Sequence, residues 1–258
     1  MKICITVGHS KLKNGNYTSA SGIKVEYLYC KEQGQALKTK LEKEGHQVTL
    51  IICPEGQFSS AKEEVNYKLS RINGKRFDLV IELHLNCYNS SAKGTEVLYY
   101  STSTTSKIYA QRVVNKLGTK FINRGAKSND SLYILRSTDC NAILIESFFC
   151  DSKVDCDIAD KLGVDGVANL IAEGIINKEI KDEPVKEDIY KIATGGFGSK
   201  EAAENKLSYL KGITGWYLEV KGSDFHIETG GFTGKEKVER KMNALKELTG
   251  WWMEYRVD

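Results

Sequence analysis

The chain has 258 residues, enough for one large domain or two smaller ones. Its 41% hydrophobic and 28% charged residues are those of a globular protein, and no apolar run approaches the roughly 18 residues that suggest a stable membrane insertion. A net charge of +3 without a concentrated basic segment argues against nucleic-acid partners.

Apolar runs at 3–7, 47–53, 78–85, 96–100 and 142–149 predict strands, and the segments 27–44, 61–72, 105–118 and 158–176 predict helices between them. This alternation implies an α/β fold, a mostly parallel twisted sheet with helices on both faces. LVIEL and AILIES are nearly continuous in apolar character, as central strands covered on both faces should be. Ligands of such sheets gather at the carboxyl ends of the strands. The first strand candidate, ICITV, is too short for a signal peptide. Seven cysteines contain no CxxC pair, and Cys4 and Cys53 read as small buried hydrophobes rather than metal or disulfide partners.

A charged stretch around Pro184 then breaks the pattern, dividing the chain into 1–178, a linker at 179–188, and 189–258. The last part contains a repeat: GGFGSKEAAENKLSYLKGITGWYLEV returns as GGFTGKEKVERKMNALKELTGWWMEY, with Phe197 matching Phe232 and Trp216 matching Trp251. Ala203, Leu207, Leu210 and Ile213 form one helical stripe; Val238, Met242, Leu245 and Leu248 form its counterpart. One β-α-β unit of this size cannot bury its apolar face. Two units sharing a sheet can, which predicts a small α+β domain with pseudo-twofold symmetry, four strands and two helices on one face. Of the aromatic pairs Trp216–Tyr217 and Trp251–Trp252, one ring falls on each face of a strand. The outward ring is a candidate surface for sugar or for another subunit.

Four residues of the first part suggest chemistry. His9 follows the strand ICITVG, where Gly8 allows a sharp turn. Glu26 opens a helical segment, a position a carboxylate also occupies merely to face the helix dipole. In DLVIELHLN, Val80, Glu82 and His84 share one strand face, so His84 needs a polar partner there: a metal, or Glu82 itself. Asn86, two residues on, lines the same expected cleft. Glu146 lies within NAILIESFFC, where an unpaired carboxylate is costly. It is either a catalytic base or half of a salt bridge, with Arg124 or Lys127 as its partner.

Taken in order, ITVGHS, Glu26, IELHLN, GTEVLYY, NRGAKSNDSLYIL and AILIESFF resemble the zinc-dependent N-acetylmuramoyl-L-alanine amidases of the Amidase_3 type, in particular the endolysins of clostridial phages. The resemblance implies Zn2+ held by His9, Glu26 and His84, with Glu146 as the catalytic carboxylate. It implies hydrolysis of the amide between N-acetylmuramic acid and L-alanine in bacterial peptidoglycan. It also implies accumulation in the host cytoplasm before lysis and action at the cell wall afterwards. Two alternatives stand beside it: a zinc peptidase cutting within the stem peptide, and a non-enzymatic wall-binding or assembly protein. The chain departs from many relatives in having SKLKNG rather than glycines after His9, and Phe148 where they carry glycine. The tail resembles a sporulation-related repeat, which implies attachment to a wall component through residues such as Trp216 and Trp252, or self-association.

Overall fold

The computed structural model describes residues 1–180, 188–214 and 216–257, apart from the Ile213 side chain. Pro184 and most of the expected linker therefore lie outside the described residues. Two compact units divide the chain, Met1–Ile180 and Lys181–Asp258.

The first unit runs β1 (Lys2–Val7), α1 (Glu26–Lys43), β2 (Gln47–Ile51), α2 (Ala61–Ile72), β3 (Leu79–Asn86), β4 (Thr95–Tyr99), α3 (Thr104–Leu117), β5 (Asn123–Ser128), α4 (Tyr133–Arg136), β6 (Ala142–Phe149) and α5 (Lys153–Ile176). Its sheet has the order β2-β1-β3-β6-β4-β5. All neighbours are parallel except β4 and β6. This is the mostly parallel α/β sheet expected from the alternation. Period-two side-chain direction sorts the strands onto two faces. Ile3, Ile5, Leu79, Ile81 and Leu83 pack in one core with α1, α3 and α5. Cys4, Val80 and Leu144 pack on the other face against Ile72 of α2 and Ile134 and Leu135 of α4. Serine side chains accept a backbone N–H at the starts of three helices: Ser60 for α2, Ser103 for α3 and Ser152 for α5.

Two local features, β5 and the start of α5, depart from the sequence expectation. β5 has the sequence NRGAKS, whose lack of an apolar run hides a solvent-exposed edge strand. Helix α5 begins at Lys153, earlier than the apolar pattern indicated, and kinks at Gly163, whose φ is +67°. Phe148, the departure from the family pattern, is fully buried and stacks on Phe121 with ring centroids 5.6 Å apart. Cys4 and Cys53 are buried, and all seven cysteines are free thiols.

The second unit contains β7 (Ile189–Thr194), α6 (Lys200–Thr214), β8 (Leu218–Lys221), β9 (His226–Thr229), β10 (Phe232–Thr233), α7 (Lys235–Thr249) and β11 (Met253–Val257). The sheet has five described strands where four were expected, because the strand that opens the second repeat is broken into β9 and β10 across Gly230 and Gly231; β7 pairs antiparallel with β11, β9 and β10, and β8 pairs with β9. Both helices contribute to one core around Ile192, Leu210, Ile227, Val238 and Met253. The two repeats are interlocked. Ile192 donates its N–H to Thr229 Oγ1 at 3.0 Å, and Ile227 donates to Thr194 Oγ1 at 2.9 Å. Phe197 meets Trp251 at 5.2 Å, while Trp216 meets Phe232 at 5.0 Å. One member of the expected stripe behaves differently: Leu245 reaches the core, but Leu248 is 68% exposed and lines two surface grooves.

Candidate metal centre and catalytic cleft

The strand ends bring His9, Glu26 and His84 together, with one potential ligand atom from each lying within 4.8 Å of the others. β1 leads into Gly8, whose N–H donates to Leu83 O at 2.9 Å and so ties this end to β3. The reason for glycine at position 8 is not the turn. A Cβ there would lie 2.3 Å from Cε1 of His84, so only glycine lets the ring approach. The turn belongs to His9, a non-glycine residue with φ of +65°.

Glu26 is the first residue of α1 and only 2% exposed. It accepts N–H groups from Ala20 at 2.9 Å and Leu85 at 3.1 Å, which fix the carboxylate plane. Its Oε1 lies 2.8 Å from His84 Nδ1 and its Oε2 lies 3.3 Å from His9 Nε2. Burial opposes charge on both groups. Their mutual hydrogen bonds nevertheless hold Glu26 well below the usual carboxylate range and push His84 up to about 10. The donor set suits zinc: two imidazoles and a carboxylate are its common ligands. Donors each about 2.1 Å from a tetrahedral ion sit about 3.4 Å apart, close to the His9–Glu26 separation.

Glu146 is the lateral neighbour of His84 in the β3–β6 register and of Glu96 in the β4–β6 register. Its Oε2 is shielded from solvent and has no hydrogen-bond partner among the described residues. Burial pushes its carboxyl up to about 7. Neither cation considered as its salt-bridge partner reaches it. Arg124 Nε and Lys127 Nζ both bind Glu96 Oε2, at 2.9 and 2.6 Å. The antiparallel insertion of β4 between β6 and β5 is what places Glu96 between them. Asn86, half-buried at the end of β3, donates to Glu96 Oε1 at 3.2 Å.

Three charged residues that surround this site carry little signal in the sequence. Glu96 alternates with apolar residues on β4, which is the pattern of any half-buried strand. Glu64 and Lys68 sit on α2 like residues of a solvated helix face, yet each is 2% exposed. The other two sequence candidates belong to the second unit. Trp216 is half-buried with Lys241 Nζ 4.6 Å above its ring, and Trp252 is 62% exposed.

The Amidase_3 family, described as N-acetylmuramoyl-L-alanine amidase, matches residues 3–177. Among solved structures, the catalytic domain of the CD27L endolysin targeting Clostridia difficile is 55% identical. It has a TM-score of 0.69 and spans 70% of this chain and 99% of that one. The CwlD amidase from Clostridioides difficile, solved with the GerS lipoprotein, shares the fold at 21% identity and a TM-score of 0.59, over 69% of this chain and 98% of that one. An uncharacterized 38.4 kDa protein of Clostridium perfringens is 31% identical over 191 residues, covering 71% of this chain and 54% of its own length. The chain thus spans about half the length of the curated relatives it matches first. With the family match extending from β1 through α5, this chain belongs to the Amidase_3 family of N-acetylmuramoyl-L-alanine amidases.

Proposed function

We propose that the chain is a zinc-dependent peptidoglycan amidase that hydrolyses the amide between N-acetylmuramic acid and the L-alanine of the stem peptide. One observation carries this reading: His9, Glu26 and His84 converge at the strand ends beside Glu146, a carboxylate with an unpartnered, shielded oxygen. Zinc held by the three would supply Lewis-acid polarisation of the amide carbonyl and a lowered water pKa. Glu26 binds both histidines and two backbone N–H groups, so its role is to hold the donor set in place. Glu146 takes the proton of the attacking water and returns it to the departing alanine nitrogen. Burial, which disfavours its charge, helps Glu146 to take up that proton. Asn86 and the Glu96–Arg124–Lys127 group, one strand over, offer polar contacts to the stem peptide.

The likeness to an endolysin catalytic domain supports a lytic role, in which the enzyme accumulates in a host cytoplasm and acts on the wall at lysis. The second unit is read as the part that holds a wall component. Mass spectrometry of digested peptidoglycan tests the bond assignment. The proposal expects muramic acid with a free lactyl carboxyl and stem peptides with a new alanine N-terminus. Intact lactyl–alanine linkages with cut stems would reject it in favour of a peptidase.

A further inference from the structure

We infer that α2 is the element that positions both histidines, with Glu64 and Lys68 as its working residues. The inference rests on the reading of His9, Glu26 and His84 as metal ligands. Glu64 and Lys68 are one helical turn apart, so both side chains leave the same face of α2. Both are almost wholly buried, unusual for a glutamate and a lysine.

Each reaches a different histidine through one intermediary. Lys68 Nζ donates to Glu82 Oε1 at 2.8 Å, and the same oxygen lies 3.0 Å from His84 Nε2. Thr6 donates its hydroxyl to Glu82 Oε2 at 3.1 Å, so the carboxylate is held on both sides. On the other side of the ring, His84 Nδ1 lies 2.8 Å from Glu26 Oε1 and faces the candidate metal position, so a bond from Nε2–H to Glu82 would leave Nδ1 as the donor when zinc is bound. A carboxylate behind a histidine fixes its tautomer and ring orientation in this way. On the other side, the Glu64 carboxylate accepts the hydroxyls of Ser10 and Thr18, the latter at 2.9 and 3.1 Å. Ser10 also donates its N–H to Thr18 Oγ1 at 3.2 Å. These bonds clamp the segment directly after His9, whose left-handed backbone needs support from its surroundings.

Stability alone does not account for the arrangement. A buried ion pair can often be replaced by apolar residues of similar volume without loss. Among the described residues, the α2 face of the sheet offers apolar neighbours such as Cys4, Ile72 and Val80 for such packing. Both charged residues instead connect to the residues that present the histidines.

The test measures zinc affinity of the full chain by competition with a fluorescent chelator, together with the ring nitrogen shifts of His84 by NMR. In Lys68→Met combined with Glu82→Leu, no buried charge is left unpaired. We expect a folded protein whose zinc affinity falls by about 10- to 100-fold, and whose His84 Nε2 shift in the zinc-bound state moves away from the wild-type value because its carboxylate acceptor is gone. Glu64→Gln, nearly isosteric, reads the inference separately at His9: about tenfold weaker zinc binding and faster hydrogen exchange over residues 10–18. Lys68→Arg, which keeps the cation, should retain most of the wild-type affinity. If wild type binds zinc and both the double variant and Glu64→Gln bind it equally well, the two residues are structural only and this inference fails alone. If wild type takes up no zinc, the metal reading fails and this inference with it.

Discussion

Glu146 is held where its charge is expensive: burial acts on it first, and three further carboxylates, those of Glu26, Glu96 and Glu82, oppose its ionisation while His84 favours it. Its pKa near 7 therefore has two consequences. Replacing it with glutamine removes the proton acceptor but keeps the shape. Glu146→Gln should retain zinc while kcat falls by about 10²- to 10⁴-fold; a variant that binds zinc and keeps full amidase turnover would remove Glu146 from the mechanism. The second consequence concerns stability of the metal-free protein. Because the folded carboxyl binds its proton more tightly than the unfolded one, the native state holds more protons between about pH 4.5 and 7. Stability is thus lost as pH rises through that window, by about 3 kcal/mol at most. Glutamine does not titrate. Metal-free Glu146→Gln should then be more stable than wild type above pH 7 and equal to it below pH 4.5, as read by urea melts at both pH values. Bound zinc should shrink the difference, since a nearby cation favours the ionised carboxylate.

At the scale of elements, the site depends on how closely β1 approaches β3. Gly8 is the contact point, and an added methyl would fall among the His84 ring atoms at 2.3 to 2.7 Å. The ring cannot swing away without leaving Glu26 or Glu82. Gly8→Ala should accordingly destabilise the chain by about 1–3 kcal/mol and weaken zinc binding more than tenfold; calorimetry and metal titration read the two effects separately. Unchanged affinity would mean that the ring has room this geometry denies. The same contact shows what was legible beforehand. Short apolar runs sufficed to find β1, β3 and β6, because central strands must be apolar on both faces. The strand-end histidines and Glu26 followed from position and family likeness. β5 was invisible because an exposed edge strand buries almost nothing, and Glu96 owes its partners to β4 being inserted antiparallel. Lys68 and Glu64 escaped because helical periodicity cannot tell a charge facing solvent from one facing a buried partner. Those relations exist only once distant segments meet.

At the scale of the whole molecule, the Amidase_3 unit is followed by one whose two halves each build a groove beside a tryptophan. The groove beside Trp216, about 520 Å³, is lined by Lys237, Arg240 and Lys241, with no acidic residue among the described residues that line it. The second, about 370 Å³, has Trp251, Tyr209, Asn205 and Lys206 in the corresponding places. Indole faces beside cations suit the ring faces and anionic groups of wall polymers. Lys237 and Arg240 are exposed, so reversing their charge tests the surface without emptying the core. Lys237→Glu with Arg240→Glu should lower the fraction of protein that sediments with purified walls several-fold, while hydrolysis of a small soluble muropeptide stays at the wild-type rate. Wild-type sedimentation should also weaken as salt is raised, because exposed charges are screened beyond about 8 Å at physiological ionic strength. Undiminished, salt-independent wall binding by the variant would move the wall contact away from this groove, whereas equal losses on walls and on soluble substrate would show that the substitutions had disturbed the Amidase_3 unit instead.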